Sequence, residues 1–266
     1  MTQTEEDRRR FIELGVPSDK VTVTGNIKFD QTVPSLEPEY YNLFRCRRDI
    51  SPPLLLAGST HPGEESVIAD VFIKLRQNFP DIRLIIAPRN VERASEVKEK
   101  FISLFTNELP GCSVQFFTYT VKHFSVSNNL NGNFDCSDNS TDFPDVIILE
   151  RMGVLAPLYD VCDVAFVGGS LLPFGGHNPL EPAIFSKPVI FGHHMTDFVE
   201  LSEALVAAGA AFKVKDGEEL YIVVKRLLED TDFSENAGKR GRELFGAFGG
   251  AVDKIVSEIG HHISRK

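Results

Sequence analysis

The sequence predicts an α/β fold: a doubly wound, Rossmann-like parallel sheet. From Pro53 onward, short β-branched or aliphatic runs alternate with longer stretches of helical period, the signature of βα units. Between the first two runs, Val67, Ile68, Val71, Phe72 and Leu75 recur at three- and four-residue spacing, which places one apolar stripe on a helix that covers the sheet. The composition, 42% hydrophobic and 25% charged, is that of an ordinary globular chain and excludes collagen-like, coiled-coil and largely disordered classes. The expected strands are Leu54–Ala57, Arg83–Ala87, Val114–Phe117, Val146–Leu149, Val164–Val167, Val189–Phe191 and Ala211–Val214.

At 266 residues the chain holds one large domain or two small ones. A net charge of −10 repels nucleic acid and anionic lipid on average, so no nucleic-acid partner is expected and any anion must be held by a local site. No apolar run reaches membrane-span length, and Glu5, Glu6 and Asp7 do not fit a secretory leader, so a cytoplasmic chain is expected. Cys46, Cys112, Cys136 and Cys162 are widely spaced, which fits reduced thiols better than a disulfide framework or a zinc site.

Residues 1–30 read differently from the rest: a charged helix from Thr4 to Leu14, a turn at Gly15–Pro17 and a strand at Val21–Thr24. One helix and one strand make no core, so this piece is expected to close a domain outside the chain. Residues 31–52 form a proline-rich linker with a short helix near Tyr40–Cys46, and 53–233 the α/β domain. Within that domain, Ser125–Phe143 is a polar, aperiodic surface loop. Residues 234–266 form a helical tail, expected to break near Gly249.

The richest chemical signal runs from Val167 to Pro182, VGGSLLPFGGHNPLEP. A strand enters a Gly-Gly turn, a second pair follows at Gly175-Gly176, and a helix is expected to open at Asn178 with Pro179 in its first turn and Glu181 just behind. Glycines admit close backbone approach and a helix start offers free N–H groups to a phosphate, while Glu181 can accept hydrogen bonds from the vicinal hydroxyls of a ribose. An ordinary βα loop would use the same glycines for turns and Asn178 as a cap. Two double-glycine turns at one strand exit favour the ligand.

Three further loops leave strands at the same edge. Pro88-Arg89 places a guanidinium where open α/β sheets hold ligands, able to fork onto phosphate oxygens. Met152 and Gly153 offer backbone N–H groups where the chain turns into the next helix. In Gly58-Ser-Thr-His-Pro-Gly-Glu-Glu65, Ser59 or Thr60 is expected to cap a helix with Pro62 in its first turn and Glu64 and Glu65 at its positive end, leaving His61 to face a ligand cleft. The adjacent pairs His193-His194 and His261-His262 diverge and predict no metal site. The sequence contains neither a G-x-S-x-G nor an H-E-x-x-H motif.

In this order, STHPGEE, Pro88-Arg89, RMGxL, VGGSLLPFGGHNPLEP and KPVIFG resemble the carboxyl-terminal domain of 3-deoxy-D-manno-octulosonic acid (Kdo) transferases, which have the GT-B glycosyltransferase fold. The opening EEDRRRFIELGVPSDKVTVTGNIKFD resembles the segment that closes that family's amino-terminal domain. The resemblance implies CMP-Kdo as donor and inverting transfer to a lipid A precursor at the cytoplasmic face of the inner membrane, in lipopolysaccharide biosynthesis. It implies that Arg89 binds the CMP phosphate, with Pro88 beside it and Met152 and Gly153 contributing from their loop. Gly175, Gly176 and Asn178 would line the same pocket, Glu181 would hold the ribose, and Ser59 and His61 complete the candidate set.

A single leaving phosphate makes little demand for a divalent ion, so neither metal nor cofactor is expected. The family's catalytic base, membrane anchor and acceptor surface belong to its amino-terminal domain. No catalytic residue is therefore assigned here, and the isolated chain is expected to bind nucleotide without transferring sugar. Two positions depart from the family pattern: Val154 stands where the family usually has Glu, and Ser186 where it has Gly. A stand-alone nucleotide-sugar binding protein and half of a UDP-sugar transferase or epimerase are the alternative readings.

Overall fold

The computed structural model describes residues 1–30, 35, 52–117 and 144–263. The helix expected near Tyr40–Cys46, the loop Ser125–Phe143, and Cys46 and Cys136 lie outside them. The chain divides into two compact units, Pro34–Gly241 and Met1–Val33 with Arg242–Lys266.

In the larger unit the strands are Leu54–Thr60 (β1), Arg83–Pro88 (β2), Val114–Phe116 (β3), Val146–Ile148 (β4), Val164–Val167 (β5), Val189–Phe191 (β6) and Ala211–Lys213 (β7). They form one seven-stranded sheet of order β3-β4-β2-β1-β5-β6-β7, with every pairing parallel. Among the described residues the α-helices are Glu5–Glu13 (α1), Glu64–Asn78 (α2), Ala94–Glu108 (α3), Leu155–Leu158 (α4), Leu180–Ala183 (α5), Val199–Ala207 (α6), Gly217–Glu229 (α7), Thr231–Phe248 (α8) and Ala251–Ile263 (α9).

Both faces of the sheet are covered, which is why its strands read as continuous apolar runs. Leu55, Ala57, Leu84 and Ile86 point to one face and pack with Ile68, Val71, Phe72 and Leu75 of α2, Phe101 and Phe105 of α3, and Leu220 and Val224 of α7. Leu54, Leu56 and Ile85 point to the other, against Leu158, Tyr159 and Val161 at the end of α4. Phe72, Phe101, Phe166 and Phe191 are fully buried, each contributing about 1.5–3 kcal/mol. The doubly wound sheet expected from the sequence is thus present, with β1 longer than its apolar run. The extension passes Gly58, Ser59 and Thr60 through a register shift against β2, and Ser59 takes a left-handed φ of 55°.

In the smaller unit, α1 begins with a reciprocal cap between Thr4 and Asp7. The strand expected at Val21–Thr24 is reduced to a single bridge, Thr2 to Val23, because among the described residues no further strand extends that ladder. The carboxyl-terminal helical stretch begins at Thr231 and breaks at Gly249-Gly250, where Gly250 has a φ of 89°. The Asp30 carboxylate accepts the N–H groups of Gly250 and Val252 at the start of α9, and these bonds hold its carboxyl below the ordinary value. Along α9, Val252, Val256, Ile259 and Ile263 are exposed.

Candidate nucleotide site

Parallel sheets of this kind bind ligands beyond their carboxyl edge, where neighbouring strands send their chains in opposite directions. Here the chain leaves β1 for β2 on one side and returns later to β5 on the other. A cleft of about 200 Å³ opens at this point, lined by Ser59, Pro88, Arg89, Met152, Gly153 and Glu181 together with Ala87, Val91, Leu149, Arg151, Leu155 and Ala156. Six candidates separated by as many as 122 positions in the chain, Ser59 to Glu181, therefore share one concavity.

Each is set by local backbone. The N–H of Arg89 donates to the Thr60 carbonyl at 2.9 Å, tying the exit of β2 to that of β1. Ser59 sits at the bulge beside it. Gly153 turns the chain into α4 with a φ of 84°. Glu181 lies in the first turn of α5, and the Asn178 side chain steadies the approach by accepting the Leu180 N–H at 3.1 Å. The helix opens at Leu180 after Pro179, two residues later than expected at Asn178.

The charges are unequal in setting. Arg89 is exposed on its loop, whereas Glu181 is half-buried. Burial raises the Glu181 carboxyl above its ordinary value, and the positive charge of Arg89 opposes that rise. Beneath them Tyr159 is fully buried, its phenol raised by burial first and by Glu181 second. A Cβ on Gly58 would lie 2.1 Å from the Tyr159 hydroxyl oxygen, so glycine there is required by packing at the floor of the site.

The first Gly-Gly turn carries a different partner from the phosphate expected. The Glu64 carboxylate is fully buried and accepts the backbone N–H groups of Gly169 at 2.7 Å, Ser170 at 2.9 Å and Leu171 at 3.0 Å, with His61 N–H at 2.9 Å. The chain supplies its own anion to these amides. Neither Ser59 nor Thr60 caps α2: Thr60 belongs to β1, and Gly63 takes the cap position without a side-chain bond. Glu65 is likewise fully buried, paired through one oxygen with Arg93 at 2.9 Å and Thr60 Oγ1 at 3.3 Å. The sequence places both acids at the positive end of the helix and does not show that a glycine-rich loop takes up the Glu64 carboxylate.

Gly175, Gly176, Asn178 and His61 do not line the cleft. The Gly176 N–H donates to the Gly169 carbonyl at 2.8 Å, and the Gly175 carbonyl accepts the Asp197 N–H at 3.0 Å. Their missing side chains make room within the protein: a Cβ on Gly175 would lie 2.7 Å from the Asp197 carboxylate, and one on Gly176 2.4 Å from Met195 Sδ. His61 instead meets His177, Nε2 to Nε2 at 2.9 Å, while its other flank stacks on Phe174 at 4.3 Å between centroids. His177 was not among the candidates; only its place inside the glycine-rich motif could have drawn attention to it. Val154 takes the cap position before α4 and packs half-buried against the second core face.

The fold is thus a Rossmann-like domain with a mixed-charge cleft at its sheet switch point, and solved structures share it. The carboxyl-terminal CMP-Kdo binding domain of WaaA from Acinetobacter baumannii superposes with a TM-score of 0.56 at 22% identity, over 72% of this chain and 88% of that one. HepE from Anabaena, solved with UDP and glucose, gives 0.55 at 14% identity over 99% and 62%.

The chain is a homologue of the Kdo transferases over most of its length. A family model described as 3-deoxy-D-manno-octulosonic-acid transferase matches residues 1–31. The 3-deoxy-D-manno-octulosonic acid transferase of Haemophilus influenzae is 31% identical over 97% of this chain and 55% of the relative. The chain thus spans about half the length of the curated relatives it matches. Among the described residues no helix is long and apolar enough to cross a membrane.

Proposed function

We propose that these residues form the donor-binding part of an inverting glycosyltransferase that takes Kdo from CMP-Kdo and delivers it to a lipid A precursor at the cytoplasmic face of the inner membrane. One observation carries the reading: Arg89, Met152, Gly153 and Glu181 line a single cleft at the sheet switch point. The guanidinium takes the CMP phosphate, the Glu181 carboxylate takes the ribose hydroxyls, and the loop at Gly153 closes on the nucleotide. The name of the Acinetobacter neighbour, a CMP-Kdo binding domain, supports the same donor.

When the glycosidic bond breaks, CMP leaves as an anion, and Arg89 stabilises the charge growing on its phosphate. The base that deprotonates the acceptor and the acceptor surface lie outside these residues in this reading. The exposed stripe Val252, Val256, Ile259 and Ile263 on α9 fits a face that such a further part would cover.

Calorimetric titration with CMP and with UDP tests the reading. CMP is expected to bind more tightly; a preference for UDP would favour a UDP-sugar enzyme, and no binding of either would remove the site. Transfer from CMP-Kdo to a lipid A precursor is expected only when an amino-terminal domain of a Kdo transferase is added.

A further inference from the structure

The His61 and His177 rings lie nearly end to end. Their planes are 16° apart with centroids separated by 5.1 Å, while the two Nε2 atoms approach to 2.9 Å. That is the geometry of an in-line N–H···N hydrogen bond. Two bare nitrogens or two N–H groups would repel at this distance, so the pair carries one hydrogen between its Nε2 atoms and the rings hold opposite tautomers. The bond joins two segments far apart in sequence: the turn after β1, which carries His61, and the glycine-rich loop after β5, which carries His177 and runs on to Glu181. Gly169 packs under both rings; a Cβ there would lie 3.2 Å from His177 and 3.3 Å from His61.

We infer that His61 and His177 are positioning residues for the nucleotide cleft, a latch of one shared hydrogen that holds the glycine-rich loop, and with it Glu181, in register with Arg89. The latch rests on the donor-site reading above and adds to it residues that do not line the cleft. Its weak point is a second charge: once both rings are protonated, each Nε2 carries a hydrogen and the bond cannot persist.

The surroundings define when this happens. His61 is faced by Glu64 and Glu65 of α2, which favour its charge, and by Arg89 and Arg93, which oppose it; burial prevails and lowers it. His177 is faced by His61 and Arg89, which oppose its charge, and by Asp197, which favours it; burial leads, and it is pushed down to about 4. A group depressed in the latched state binds its proton more readily when released. The latch is therefore fully stable above the ordinary histidine value of 6.5 and loses stability as pH falls from there toward about 4.

The test measures CMP affinity from pH 8 to pH 5 for the wild-type chain, His177→Gln and His177→Phe. Ratios of variant to wild type are taken at each pH so that the titration of CMP itself cancels. Glutamine can donate or accept at the Nε2 position and does not titrate, so His177→Gln is expected to bind within about twofold of wild type at pH 8 and to overtake it severalfold at pH 5. His177→Phe keeps a flat ring without the hydrogen bond and is expected to bind about tenfold more weakly at pH 8. Equal affinity of the Phe variant at pH 8, or a Gln variant whose ratio to wild type does not change with pH, would overturn the latch. Should His177→Phe fail to fold, the pH ratio of His177→Gln still decides. Failure of the wild-type chain to bind CMP at any pH would instead overturn the donor-site reading.

Discussion

Arg89, at the exit of β2, and Glu181, in the first turn of α5, stand on the same cleft with the end of β1 between their strands. The positive charge acts on the carboxyl strongly enough to oppose its burial. In the proposed function a nucleotide offers a phosphate to one and a diol to the other, which gives each side chain a separable part in binding.

Removing the guanidinium should leave the fold untouched, because Arg89 is exposed and its anchoring bond is made by the backbone N–H. Arg89→Ala is expected to weaken CMP binding by about 10- to 100-fold, the worth of a charge-assisted hydrogen bond, with an unchanged thermal midpoint. Arg89→Lys should recover only part, since an ammonium cannot fork onto two oxygens. Calorimetry beside a thermal melt reads both, and wild-type affinity in Arg89→Ala would remove Arg89 from the site.

Glu181 should show the opposite balance between stability and binding. Its carboxyl is raised in the folded chain, so the folded state holds the proton more tightly than the unfolded one, and its contribution to stability falls as pH rises through the ordinary value of 4.5 and the raised folded one. Glu181→Gln is therefore expected to melt slightly higher than wild type at pH 7 while binding CMP about tenfold more weakly. A variant that melts lower at pH 7 and binds normally would show that the carboxylate serves packing alone.

Glu64 is expected to be costly to replace, although it does not line the described cleft. Glu64→Ala strands the N–H groups of Gly169, Ser170 and Leu171 without their acceptor, and should destabilise the chain by about 3–5 kcal/mol in urea unfolding. Hydrogen exchange at those amides should quicken more than at β2. A loss below about 1 kcal/mol would mean that water replaces the carboxylate readily.

Ser186, where the family resemblance implies glycine, has a φ of 57° in the turn after α5, a conformation that suits glycine. Ser186→Gly should stabilise by about 1 kcal/mol, the cost of a side chain in the left-handed region. The reverse holds at Gly238 of α8, where a Cβ would lie 1.9 Å from the Ser186 carbonyl oxygen. Gly238→Ala is expected to lower the melting temperature by several degrees. A melt of the two variants checks both signs.

The apolar pattern of the chain sufficed for the sheet, and the strand exits for five residues of the cleft, Pro88, Arg89, Met152, Gly153 and Glu181. Continuous apolar runs mark strands covered on both faces and three-to-four-residue spacing marks a helix covered on one, so the strands and the α2 stripe were legible. Pro88-Arg89, Met152-Gly153 and Glu181 each follow a strand, and strand exits of a parallel sheet share one edge whatever the loop lengths. Where each loop makes its hydrogen bonds emerged from the folded chain alone. The amides of Gly169 and Ser170 read as phosphate donors because nothing local satisfies them, yet Glu64 does so from 105 and 106 positions away. Gly175 and Gly176 read as ligand clearance, although the space they leave is filled by Asp197 and Met195. His177 was invisible until His61 stood 2.9 Å from it. Periodicity records burial residue by residue, whereas a buried hydrogen bond depends on two segments meeting in space, and no single stretch of sequence carries that meeting.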